Sequence, residues 1–173
     1  MPRMVEKIFE GRIVSLHREE HELPDGRRAV FEMVRHPGGA AILPLLEDGR
    51  VLLIRQFRPA AGGMVWEIPA GRLEPDEGPL ECVAREIQEE VGYRAGKIEK
   101  IGEMLTAVGF CDEVVHLYLG TDLEPVERAL EPDEYIEVVA MPLAEALTRI
   151  MDGEITDGKT QLALLLARSQ GRV

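Results

Sequence analysis

The chain has 173 residues, 45% of them hydrophobic and 30% charged, with a formal net charge of −12. That length suits one domain, or one domain with a small extension, and the apolar share suffices for a sizeable core. The absence of any run of roughly 18 apolar residues argues against a membrane-spanning helix, and the acidic balance argues against a broad basic face for nucleic-acid backbones.

The first residues, MPRMVEKIFEGR, lack the apolar stretch of a signal peptide. Cys82 and Cys111 form no CxxC pair and no disulfide framework. The expectation is a cytoplasmic protein with free thiols. Residues 5–9, 12–16 and 29–34 are short β-prone runs, and Leu23-Pro24-Asp25-Gly26 is a turn signal. His17 and His21 stand four apart, a metal spacing on a helix, but their surroundings read as strand and turn, with no third ligand near. His36-Pro37-Gly38-Gly39 marks a boundary, giving an N-terminal β segment over 1–36 and a main domain over 37–173. Residues 40–46 and 51–57 then read as two strands joined by a hairpin turn at Glu47-Asp48-Gly49. Arg55 and Arg58 flank the end of the second strand, and the single tryptophan, Trp66, follows.

The densest chemistry lies in 71–93, GRLEPDEGPLECVAREIQEEVGY. Pro79 suits the first position of a helix, with Gly78 as N-cap and Glu81 reaching back to it. Leu80, Val83, Ala84, Ile87 and Val91 share one apolar face, and Gly92 suits the helix end. Glu86, Glu89 and Glu90 fall on the neighbouring face. Like charges one turn apart weaken a helix by about 0.2–0.5 kcal/mol per pair. A hard divalent cation, shared with substrate phosphates, would neutralise them. A solvated acidic face is the ordinary alternative for a charge run.

Downstream, 97–105 reads as a strand, Thr106 to Glu113 as a loop, and 114–119 as a strand. Residues 124–134 form an acidic loop ending in Glu131-Pro132-Asp133-Glu134. A strand over 136–141, a helix opened by Pro142 and running to about Met151, and a last helix capped by Thr156 or Asp157 complete the chain. The last helix should bury Leu162, Leu165 and Leu166, with Ala163 beside them.

The metal reading draws its support over the acidic face from a resemblance that 71–93 carries. The stretch runs Gly71, five residues, Glu77, seven residues, Arg85-Glu86-Ile87, one residue, Glu89-Glu90, one residue, Gly92-Tyr93. It resembles the Nudix box at every fixed position. The preceding IRQFRPA and WEIPAG segments and the later GFCDE and EPDEYIEV segments resemble the ADP-ribose pyrophosphatase branch of that family. The resemblance implies an α/β/α sandwich with a mixed sheet, preceded by a small antiparallel sheet exchanged across a homodimer. It implies hydrolysis of a nucleoside diphosphate linked to another group, ADP-ribose giving AMP and ribose 5-phosphate. FAD, GDP-mannose and dinucleoside polyphosphates are the alternative substrates, and a nucleotide sensor without turnover is the alternative class. Mg²⁺ or Mn²⁺ is the implied cofactor, held by Glu86, Glu90, Glu89 and the Ala70 carbonyl. Arg85 is implied to orient the glutamates, Glu77 to brace the loop, and Glu134 to act as base. Arg58 is implied to grip the diphosphate, and Glu32, Arg28, Gly109 and Glu113 to contact substrate. Val108 stands where the branch carries a proline, which implies a less restrained loop and modest selectivity.

Overall fold

A computed structural model describes residues 2–130 and 135–172. The chain divides into two compact units, Met1–Gly38 with Leu105–Val115, and Gly39–Met104 with His116–Val173.

In the first unit, β1 (Met4–Glu10), β2 (Ser15–Glu22) and β3 (Arg28–Arg35) form an antiparallel sheet in that order. The turn between β2 and β3 closes at Gly26, whose φ of 84° is a conformation that favours glycine. The second strand departs from the reading of 12–16. Its sequence, SLHREEHE, is almost wholly polar and carries no apolar alternation. Ladders to β1 on one edge and β3 on the other hold it extended, a tertiary effect that overrides local preference. His17 and His21 therefore lie on a strand, bonded to Ser15 and Glu19 at 2.8 Å each. The stretch 105–115 joins this unit because β3 zips to it. Val34 N–H donates to the Phe110 carbonyl at 2.6 Å, and Asp112 N–H donates to the Val34 carbonyl at 3.2 Å.

The second unit holds β4 (Gly39–Pro44), β5 (Arg50–Arg58), β6 (Gly63–Glu67), β7 (Ala70–Arg72), β8 (Tyr93–Leu105), β9 (Val114–Pro125) and β10 (Ile136–Pro142). They make two sheets, β10-β5-β6 and β7-β4-β9-β8. With α1 (Pro79–Glu86), α2 (Leu143–Met151) and α3 (Gly158–Ser169) they form the expected α/β fold. Every residue of β4 is buried, as suits its unbroken apolar run. The core around Ile42, Leu52, Ile54, Val83, Ile87 and Tyr118 fastens the helix of the acidic stretch onto these strands. Each fully buried Leu, Ile or Val there contributes about 1.5–3 kcal/mol.

Four further sequence readings change. The helix expected to run unbroken to Gly92 is α for Pro79–Glu86 and then a single π turn over Ile87–Val91. Leu80 is 51% exposed, and Cys82 takes the core place assigned to it. In α3 the core face is Thr160, Ala163, Leu164 and Ala167, while Leu165 is 51% exposed. Both strands flanking the loop are also longer than read, because hydrogen-bonded partners extend β8 back to Tyr93 and β9 on to Pro125.

Candidate active site

The loop after β7 and the first turn of α1 are built locally. Glu81 accepts the Gly78 N–H at 2.8 Å, the glutamate half of a capping box, and Pro79 spares a donor at the helix start. Asp76 takes a left-handed φ of 65° just before Glu77. Glu77 then folds back to accept the Glu74 N–H at 3.0 Å.

Arg85 is the hub. Its Nε donates to Glu77 Oε1 at 2.9 Å and its Nη2 to Glu77 Oε2 at 3.1 Å, a bidentate fork. Its Nη1 donates to Glu86 Oε1 at 2.6 Å and to Glu89 Oε2 at 2.9 Å. The hydrogen bonds from Arg85 hold the Glu77 carboxyl below the usual carboxylate range. The same contacts, with Glu77 foremost, push the guanidinium further up. A solvent-exposed ion pair adds about 0–1 kcal/mol, and this cluster is only partly buried. Three carboxylates sharing one half-buried guanidinium fix orientation more than stability.

Glu86 and Glu90 are buried, at 8% and 1% exposure, which the sequence reading of an acidic surface face did not anticipate. The π turn widens the helix where Glu89 and Glu90 lie, and such turns cluster at functional sites. Glu90 Oε2 accepts the Ala70 N–H at 2.9 Å. Gly71 makes room for the neighbouring carboxylate: a Cβ there would sit 1.6 Å from Glu86 Oε1. Its φ is not left-handed, so the requirement is for space and not for backbone freedom. Cys82 lies under the same turn, its thiol pushed up to about 12 chiefly by burial, and so an inert packing group.

A hard divalent cation suits this chemistry. Carboxylate oxygens of Glu86, Glu89 and Glu90 lie on adjacent turns beside Ala70, and the space beside Gly71 is reserved for Glu86. Among the described residues no three His, Cys, Asp or Glu side chains converge as a complete ligand set. A cation held by one or two carboxylates, with waters and substrate phosphates completing its shell, needs no such set. An open groove of about 540 Å³ runs along this helix, lined by Arg85, Gln88, Glu89 and Glu127 among others. That is within the range of small-molecule sites.

Arg58, at the end of β5, makes a second fork. Its Nε and Nη2 donate to Glu67 Oε1 and Oε2 at 2.7 and 2.9 Å. Lys159 also donates to Glu67 Oε2, and its Nζ lies 3.1 Å from Asp157 Oδ2. Burial works to raise the Glu67 pKa, but Arg58 and Lys159 outweigh it and hold the carboxyl low. The charge of Glu90 also acts on Arg58. Sequence reading missed Glu67, Lys159 and Asp157. The available signal was a lysine in the first turn of a helix, where the macrodipole disfavours a cation.

The second unit thus brings together Ala70, Arg85, Glu86, Glu89 and Glu90, with Glu77 among them and Arg58 within reach of the Glu90 charge. Glu32, Arg28, Gly109 and Glu113 belong to the first unit. There Arg28 lies 3.6 Å from Glu20, Glu32 pairs across the ladder with Arg18, and Glu113 Oε1 lies 3.3 Å from His36 Nδ1. Glu134 lies outside the described residues.

The ADP-ribose pyrophosphatase of Bacillus subtilis (strain 168) is 40% identical over 161 residues, covering 92% of this chain and 87% of that protein. A GDP-mannose pyrophosphatase of Cronobacter sakazakii is 39% identical over 159 residues, covering 86% and 81%. The crystal structure of an ADP compounds hydrolase superposes with a TM-score of 0.84 at 24% identity, covering 100% of this chain and 96% of that one, a likeness of fold alone. The NUDIX domain family model matches residues 35–170. A match that runs from the last residue of β3 to just past the end of α3 leaves one reading: this chain belongs to the NUDIX domain family.

Proposed function

We propose that this chain is a metal-dependent pyrophosphohydrolase that cleaves the diphosphate of a nucleoside diphosphate linked to another group, with ADP-ribose, giving AMP and ribose 5-phosphate, as its principal substrate. The observation that carries the reading is the buried pair Glu86 and Glu90, seated against Gly71 and Ala70 and steered by Arg85. Their carboxylate oxygens, oriented by Arg85 and by the Ala70 N–H, are hard donors of the kind a divalent cation shared with substrate phosphates takes. The 40% relative named for ADP-ribose supports the substrate.

Mg²⁺ or Mn²⁺ would be held by Glu86, Glu90 and the Ala70 carbonyl, with Glu89 assisting, and would offset substrate charge and acidify water. The chain's own residues do the rest. Arg85 holds Glu86 and Glu89 in place through its Nη1. The Ala70 N–H fixes the rotation of the Glu90 carboxylate. Arg58 meets the diphosphate, a role for which a braced guanidinium is suited. Glu134 takes the proton from the attacking water. The oxygen of that water bonds to one phosphorus, and the bridging oxygen leaves with the other phosphate. Glu32, Arg28, Gly109 and Glu113 are substrate contacts by the resemblance, the first two from the N-terminal sheet exchanged across the homodimer.

The test is kcat/KM across ADP-ribose, GDP-mannose, FAD and diadenosine polyphosphates with Mg²⁺ and Mn²⁺. ADP-ribose should lead by a modest margin, because Val108, 70% exposed, leaves the loop before Gly109 without proline's restraint. GDP-mannose ranking far above it would transfer the assignment to the activity named for the 39% relative. No turnover of any compound would make the protein a sensor. In the same assay Glu90→Gln should cost at least about two decades in turnover, on the order of 3 kcal/mol. Glu134→Gln should lower kcat with little change in KM. A Glu134 variant with normal kcat would pass the base to Glu131 if Glu131→Gln lowers kcat instead, and otherwise to a box carboxylate or Glu113.

A further inference from the structure

We propose that Lys159 is a positioning residue for the diphosphate-binding arginine: it shares the Glu67 carboxylate with Arg58 and so sets the angle and rigidity at which Arg58 meets substrate. The proposal rests on the reading of Arg58 as the diphosphate contact. It concerns a residue in the first turn of the C-terminal helix, far in sequence from the box.

The geometry is specific. Glu67 ends β6 and its side chain is 3% exposed. Each of its oxygens is engaged by Arg58, and Oε2 also receives Lys159. The Lys159 side chain is 15% exposed and that of Arg58 is 42% exposed, so the arginine is the arm of this cluster that reaches solvent. A buried carboxylate answering one arginine could rotate with it. With an ammonium on its second oxygen it is fixed from two sides. The ammonium also replaces solvation that burial removes, so Glu67 stays ionised and keeps its hold on Arg58.

The placement of Lys159 is itself built. The macrodipole repels a cation in the first turn of a helix, by roughly 0.3–1 kcal/mol where a like group is exposed. Asp157, the N-cap of α3, compensates from 3.1 Å. Asp157 Oδ2 also accepts the Thr160 N–H at 3.0 Å and the Thr160 hydroxyl at 2.6 Å. That hydroxyl accepts the Ile68 N–H at 2.8 Å, one residue beyond Glu67. Thr160 is fully buried. The start of α3 is thus pinned to the strand end that carries Glu67, and the lysine reaches the carboxylate from a fixed base.

The test uses the full chain and two readouts. The first is the Kd of ADP-ribose measured by calorimetry in excess EDTA, so that cation binding does not enter. The second is the KM-against-kcat split with Mg²⁺ present. Lys159→Met should weaken the EDTA Kd and raise KM by about tenfold each, leave kcat within about threefold, and be partly rescued by Lys159→Arg. In an Arg58→Ala background, Lys159→Met should have no further effect on Kd, since the arm it positions is gone. If Lys159→Met lowers only thermal stability, with Kd and KM unchanged, the lysine is a fold-stabilising ion pair and the proposal fails. If it weakens binding equally with and without Arg58, it contacts substrate directly and the proposal fails. If Lys159→Met does not fold, the same comparison made with Lys159→Gln decides. If Arg58→Ala itself leaves Kd unchanged while the Lys159 variant weakens it, the reading of Arg58 is what fails, and the positioning role falls with it.

Discussion

At the scale of single residues, the site depends on atoms that are absent as much as on those present. Gly71 is required for room: a Cβ would lie 1.6 Å from Glu86 Oε1 and 2.1 Å from Cδ, atoms of a flexible side chain and not of the backbone. Gly71→Ala should therefore fold, since the glutamate can swing aside, but it should displace one of the proposed metal ligands. The expected outcome is a loss of about two decades or more in kcat, with a melting temperature within a few degrees of wild type. Turnover and a thermal melt on one preparation check it, and normal turnover would remove Glu86 from the ligand set. Arg85 works by the opposite means. One guanidinium answers Glu77, Glu86 and Glu89, so neighbouring carboxylates that would repel one another are held in a fixed arrangement.

At the scale of elements, β3 and the stretch 105–115 behave as one piece. Arg35 donates to Glu19, which is 1% exposed, and its Nη1 donates to Asp112 Oδ2 at 2.9 Å. The His36 N–H donates to the other Asp112 oxygen at 2.9 Å. Burial tends to raise the pKa of both carboxyls, yet His21 and Arg35 beside Glu19, and Arg35 beside Asp112, hold both below their ordinary values. A depressed folded pKa contributes stability that is full above the unfolded value, near 4, and lost as pH falls through the folded one. Amides of β2 and β3 should thus lose hydrogen-exchange protection on acidification below about pH 4. Arg35→Met leaves the buried Glu19 with less compensation and should destabilise this unit at neutral pH by up to about 3 kcal/mol, near the lower bound for a broken buried pair. Its loss of stability below pH 4 should also be shallower than that of wild type. An unchanged acid profile in the variant would show that Arg35 does not set these pKa values.

At the scale of the molecule, the first unit is short of cover. Every residue of β1 is exposed, including Met4, Val5, Ile8 and Phe9, and Val30 on β3 is 58% exposed. A three-stranded sheet of this size buries too little apolar surface to stand bare on both faces. A second copy of the chain is the proposed cover, as the homodimer implied by the resemblance requires. Light scattering at micromolar concentration should give twice the 19.3 kDa chain mass. Phe9→Glu should shift it toward monomer, and a wild-type monomer would refute the dimer. No helix among the described residues is long and apolar enough to cross a membrane.

The sequence alone determined the family, the loop–helix that carries the glutamates, and most strand positions, because these depend on fixed local spacing: Gly71, Glu77, Arg85, Glu86, Glu89 and Glu90 recur in a pattern that one turn chemistry satisfies. It also located the last helix and narrowed its cap to Thr156 or Asp157, since capping is local, and Asp157 is the cap. What spacing could not reveal was burial and partnership across the chain. That Glu90 is buried under the Ala70 N–H follows from β7 lying against the π turn. That β2 exists over eight polar residues follows from two flanking ladders. That Lys159 meets Glu67, and Thr160 meets Ile68, depends on α3 docking at the end of β6, two elements separated by most of the domain. Period and motif are properties of neighbouring residues, whereas the compensation of a buried charge depends on whichever distant groups the tertiary fold brings to it.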